Sequence, residues 1–97
     1  MAKSVTVYST THCGACAQLK KWMDEKQISY DAVNIEENPD RMSEMIEKAG
    51  TMQVPVTFIR DEGDDSDDSL QVVAGANYAE VSKVLGLAYW PLLKTQL

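Results

Sequence analysis

Cys13-Gly14-Ala15-Cys16 places two thiols at a spacing that lets them open and close a disulfide. The pair follows an apolar, β-branched stretch at residues 5–8 and opens a segment of helical periodicity. Cys13 therefore falls where a helix begins. A thiolate in that position meets unsatisfied backbone N–H groups and the positive end of the helix dipole, so its pKa is expected below that of an ordinary thiol. Only two cysteines are present, which argues against a structural disulfide framework and leaves redox chemistry or metal binding. Tetrahedral zinc needs four ligands, and His12 is the only histidine, so redox chemistry is the better reading.

The bulk properties narrow the partners. A chain of 97 residues suits one domain with one core, and residues 1–97 are read as a single unit. Its net charge is −6, yet six of its fifteen acids lie within residues 61–68, and the remainder balance the nine Lys and Arg. With no basic stripe to neutralise phosphates, nucleic acid and anionic membranes are not expected partners. Residues 1–8 run straight into strand-like sequence with no apolar stretch long enough for a signal peptide or membrane span. A cytoplasmic monomer that meets small molecules and proteins is expected.

The elements that must position the thiols are legible in the periodicity. Residues 5–8 predict a first buried strand, bounded by Ser9-Thr10-Thr11. Ala15, Leu19, Trp22 and Met23 recur at helical spacing, with Lys20, Lys21, Asp24 and Lys26 on the outer side. Residues 28–35 predict a second strand. Asn38-Pro39-Asp40 then combines an N-cap, a proline at the first helical position and an acid near the positive dipole end. Met42, Met45, Ile46 and Ala49 form that helix's inner stripe, and Gly50 stops it. Residues 56–59 and 70–73 predict a hairpin across the acidic loop, read as a solvated loop lengthened by its own repulsion. Asn77 and Glu80 have capping-box spacing ahead of an apolar face of Val81, Val84, Leu85 and Ala88. The order β-α-β-α-β-β-α, with a parallel crossover followed by an antiparallel hairpin, predicts an α/β thioredoxin fold with a four-stranded mixed sheet flanked by helices.

Residues 7–20, from Val7-Tyr8-Ser9 through the cysteine motif to Lys20, resemble the active-site segment of glutaredoxin-like redoxins, as do residues 28–36 and Val54-Pro55-Val56. The resemblance covers about residues 4–87 and is strongest to the actinobacterial mycoredoxins and the redoxins that serve ribonucleotide reductase. It implies a thiol–disulfide oxidoreductase in which Cys13 at the exposed lip attacks and Cys16, one turn inward, resolves the mixed disulfide. Gly14 then lets a substrate backbone approach, and Ala15 removes bulk above the thiol. It also implies a cis proline at Pro55, which presents the Val54 backbone to an extended substrate as an added strand.

Departures from the glutathione-using pattern point to the thiol. Those relatives carry a lysine shortly before the first cysteine and a Gly-Gly-x-Asp turn before the last helix; here stand Thr10 and Thr11, then Ala74-Gly75-Ala76-Asn77. An uncharged Asn77 cannot pair with an ammonium as a carboxylate does, so Ala76 and Asn77 suit a neutral ligand, with Asn77 also capping the helix. The expected co-substrate is a low-molecular-weight thiol, mycothiol or glutathione, of which mycothiol fits the uncharged site better, with no bound cofactor. Mixed disulfides and protein disulfides are the expected substrates. Alternatives are electron donation to ribonucleotide reductase with recharging by thioredoxin reductase, and an iron–sulfur carrier role, which Gly14-Ala15 permits sterically. His12, beside the nucleophile, is read as a wall of the substrate groove or as a cation that stabilises the thiolate. Met52 is a candidate soft contact for disulfide substrates, and the apolar tail at residues 88–97 is expected to pack back or meet a partner.

Overall fold

The computed structural model describes residues 3–64 and 67–86. Its elements are β1 (Lys3–Ser9), α1 (Gly14–Glu25), β2 (Asp31–Asn34), α2 (Pro39–Ala49), β3 (Val56–Asp61), β4 (Gln71–Ala74) and α3 (Tyr78–Leu85), in the expected β-α-β-α-β-β-α order. The strands form one sheet in the order β2-β1-β3-β4. β1 and β2 pair in parallel, Tyr8 opposite Val33, whereas β3 runs antiparallel to both β1 and β4.

Strand periodicity divides the core into two layers. Val5 and Val7 of β1, Ile59 of β3 and Val73 of β4 join Leu19 and Met23 of α1 and Val81 of α3 on one face. The intervening residues, Tyr8, Val56 and Phe58, join Val33, Ile35 and Met45 of α2 on the other. Each fully buried aliphatic or aromatic side chain of these clusters contributes about 1.5–3 kcal/mol over leaving it exposed. The Tyr8 and Phe58 rings, diagonal neighbours across β1 and β3, meet edge to face at 4.8 Å, and Trp22 of α1 meets Tyr78 of α3 at 5.2 Å. Thr57 breaks the pattern: it is fully buried, and its hydroxyl has no hydrogen-bond partner among the described residues.

Helix ends explain where the structure departs from expectation. Gln27 adopts φ 60°, and the Ile28 N–H donates to the Met23 carbonyl at 2.8 Å, so the chain is still leaving α1 where a strand was expected. β2 is accordingly shorter than residues 28–35, and Ile28 and Tyr30 pack against the first core layer instead. Asn38 occupies the N-cap position of α2, but its side chain makes no cap bond; its Nδ2 donates to the Asn34 carbonyl at 2.8 Å. Gly50 ends α2 at φ 71°, where a Cβ would be strained. Asn77 does cap α3, its Oδ1 accepting from the Glu80 N–H at 3.1 Å.

The acidic segment is not simply solvated. Asp67 pairs with Lys48 of α2 and with Arg60 of β3, Asp61 pairs with Lys3, and Asp64 accepts from the Ser69 hydroxyl. These bonds hold the segment against the body where self-repulsion was expected to extend it. Asp65, Ala88 and the tail at residues 88–97 lie outside the described residues. No described helix is long and apolar enough to cross a membrane.

Candidate functional site

The sheet register gathers the candidate residues. β1 and β2 end side by side, with Ser9 opposite Asn34, and β3 begins at that same end because Val56 lies opposite Tyr8. β4 also finishes there, Ala74 opposite Val56. The segments that follow or precede these strand ends therefore share one rim: Thr10 to Cys13 with the start of α1, Glu36, Val54-Pro55, and Gly75 to Asn77 with the start of α3.

Cys13 is the N-cap of α1, with extended backbone (φ −131°, ψ 102°), and its Sγ accepts from the Cys16 N–H at 3.1 Å. The sulfur thus takes one of the N–H groups that a helix start leaves unsatisfied. Cys13 and Cys16 are joined as a disulfide across a Cα separation of 5.2 Å. Their environments differ: Cys13 is half-buried, whereas Cys16 is 1% exposed on the inner face of α1. His12, Gly14 and Ala15 are exposed around the outer sulfur.

Ahead of β3, the strand paired directly with β1, the Val54–Pro55 peptide is cis, as the resemblance implied. Pro55 is fully buried and Val54 half-buried, and the Pro55 carbonyl accepts from the Gly75 N–H at 2.8 Å. That bond ties the proline loop to the turn that holds Ala76 and Asn77. Ala76 is half-buried and Asn77 exposed, its amide oxygen already engaged by the helix cap. Met52, before the proline loop, is 67% exposed.

A second set of bonds holds the loop before Cys13. The Thr11 N–H donates to Glu36 Oε1 at 2.7 Å, Asn34 Nδ2 donates to the Thr11 hydroxyl at 3.1 Å, and the Glu36 N–H donates to Asn34 Oδ1 at 2.9 Å. The Thr11 backbone bond, with the Thr11 side chain and the charge of His12 helping, holds the Glu36 carboxyl below its ordinary pKa. The sequence marks Thr11 as a strand boundary and as the place of a missing lysine, and does not single out Asn34 or Glu36. Their partner lies 25 positions away for Glu36 and 23 for Asn34, and no local pattern signals such a pairing.

The sequence profile of the glutaredoxin family matches residues 5–63, which include the cysteine pair and the proline loop. The chain belongs to the glutaredoxin family. Members of that family are thiol–disulfide oxidoreductases. The chain is 44% identical over 43 residues to the glutaredoxin-like protein NrdH of Lactococcus lactis subsp. lactis, a match spanning 44% of this chain and 60% of that protein's length. Among solved structures it is similar to the methanoredoxin of Methanosarcina acetivorans, with a TM-score of 0.71 and 17% identity over 87% of this chain and 85% of that one. The NrdH-redoxin of Escherichia coli superimposes with a TM-score of 0.62 and 19% identity over 82% of this chain and 92% of that one. These structural likenesses establish the thioredoxin fold of this glutaredoxin-like chain.

Proposed function

We propose that this chain reduces mixed or protein disulfides, with Cys13 as nucleophile and Cys16 as resolving thiol. The observation that carries the reading is the asymmetry of the pair. One sulfur is reachable at a helix N-cap and accepts a backbone N–H, while the other is buried one turn inward. In the reduced protein the Cys13 thiolate, stabilised by that N–H and the helix dipole, attacks one sulfur of the substrate disulfide and expels the other as a thiolate. Cys16 loses its thiol proton to solvent or to the departing thiolate and attacks Cys13 Sγ. The Cys13–Cys16 disulfide forms and the second substrate thiol leaves. The substrate gains two electrons and two protons; the dithiol loses them.

The rim serves binding in this scheme. Val54 beside the cis Pro55 presents backbone to an extended segment, Gly14 and Ala15 leave room above the sulfur, and His12, Ala76 and Asn77 line the edges. A low-molecular-weight thiol, mycothiol or glutathione, restores the dithiol. The uncharged Thr10, Thr11 and Asn77 suit the neutral sugar and inositol of mycothiol better than the carboxylates of glutathione.

A second reading, donation of electrons to ribonucleotide reductase with recharging by thioredoxin reductase, is favoured by the 44% identity to a protein named NrdH. It changes the partner and leaves the chemistry intact. Reduction of bis(2-hydroxyethyl) disulfide by wild type, Cys13→Ser and Cys16→Ser, recycled in turn by glutathione, mycothiol and NADPH with thioredoxin reductase, decides among them. Turnover lost in Cys13→Ser is expected, and the recycling system that works names the subgroup. Wild-type turnover by Cys13→Ser overturns the assignment of the nucleophile.

A further inference from the structure

We propose that Glu36 is a specificity-determining residue of this site: its fixed, exposed carboxylate beside the loop before Cys13 favours neutral and cationic disulfides over anionic ones. The inference rests on the oxidoreductase reading and names the substrate class within it.

Three observations support it. First, the carboxylate is held in place. Glu36 Oε1 accepts from the Thr11 N–H at 2.7 Å, and Asn34 braces both residues through its bonds to the Thr11 hydroxyl and the Glu36 N–H. Thr11 is two positions before the sulfur that substrate must reach, so the charge cannot swing away from an incoming ligand as an unanchored surface glutamate does. Second, the charge is uncompensated by lysine or arginine. Among the described residues no such side chain pairs with Glu36, nor with the exposed Glu37 and Asp40 that follow it. Arg41 on the first turns of α2 is directed to the Tyr8 hydroxyl and Glu44 instead. Third, the one side chain besides Thr11 whose influence on Glu36 is felt among the described residues is His12, a single imidazole beside three carboxylates. A disulfide carrying carboxylates therefore enters a negative field within a Debye length of its source, and one carrying ammonium groups enters an attractive one.

The experiment uses the full chain, reduced in advance and freed of reductant. Its second-order rate of oxidation is read by quenched thiol alkylation with three disulfides: glutathione disulfide (about −2), bis(2-hydroxyethyl) disulfide (neutral) and cystamine (about +2). In Glu36→Gln, which keeps an oxygen for the Thr11 N–H, the ratio of the anionic to the neutral rate rises about threefold at low salt, and the cationic-to-neutral ratio falls by a similar factor. Both shifts collapse at about 1 M salt, where the Debye length is about 3 Å. Glu36→Ala, which also removes the bond to Thr11, shows the same opposed shifts together with a change common to all three disulfides. A loop effect alone moves every rate in one direction, so ratios that stay at wild-type values or shift together in Glu36→Gln overturn the proposal. A reduced wild-type chain that fails to react with the neutral disulfide brings down the oxidoreductase reading instead, and the charge selectivity with it.

Discussion

At the end of the sheet remote from the cysteines, Asp67 meets Lys48 and, at 2.8 Å, Arg60, whereas at the cysteine end Glu36 meets a backbone N–H at 2.7 Å and no lysine or arginine among the described residues. Both carboxyls are held below their ordinary pKa, Asp67 by Lys48 and then Arg60, Glu36 by Thr11. The first arrangement cancels charge and fastens the loop between β3 and β4 to α2. The second fastens a loop equally well and leaves its charge standing. An anion anchored by a neutral donor gives order without neutrality, which is what a site needs if it is to hold its shape and still exert a field on a ligand.

The sharpest break in that comparison is chemical. Cys13→Ser removes the only half-exposed sulfur of the pair and is expected to lower disulfide exchange by about 10³-fold or more, whereas Asp67→Asn at the remote end leaves the same assay within about twofold. Next comes the layer beneath the site. Leu19→Ala, one turn beyond Cys16 and fully buried, is expected to cost about 2–5 kcal/mol in urea unfolding. Thr57→Val removes a buried hydroxyl that has no partner among the described residues, and is expected to raise stability by about 1 kcal/mol in the same measurement.

The smallest effect sharpens the contrast between the ends directly. A carboxyl whose folded pKa is depressed adds stability above its unfolded pKa, about 4, and loses it as pH falls through the lower folded value. Both Asp67 and Glu36 titrate in that acid window. Raising salt screens the Lys48 and Arg60 partners of Asp67 but barely touches a backbone hydrogen bond. Carboxyl titrations followed by NMR at low and high salt are therefore expected to move Asp67 toward its ordinary value and Glu36 much less. Equal movement of the two would show that Glu36 also depends on mobile charge.

Much of this was legible in the chain. Two periodicities and three helix-boundary signals yield the element order, because the amphipathic runs of α1, α2 and α3 are local and strong. Asn77 makes the N-cap half of the capping box that its spacing announces, accepting from the Glu80 N–H. Asn38 does not, because Asn34, four residues earlier, offers a carbonyl that its side chain takes instead. The start of β2 was misread because Ile28 and Tyr30 are apolar for a different reason: they cover the first core layer from a loop. The cysteine pair is short-range and chemically distinctive, hence readable. The Thr11–Glu36 contact and the pairing of Asp67 with Lys48 and Arg60 depend on which strand ends and helices the fold brings together, and only the assembled sheet reveals them.

The bond from the Gly75 N–H to the Pro55 carbonyl, 2.8 Å long, has a counterpart across the rim in the bond from the Thr11 N–H to Glu36. Each couples a connecting segment to a neighbouring one, so the mouth around the sulfurs consists of two jaws, each clamped from within. Loops usually exchange their amide hydrogens readily, because nothing shields them from water. Here the Gly75 and Thr11 amides should exchange more slowly than loop amides that lack such bonds, and a substrate would meet a mouth already partly set, with less ordering left to do on arrival.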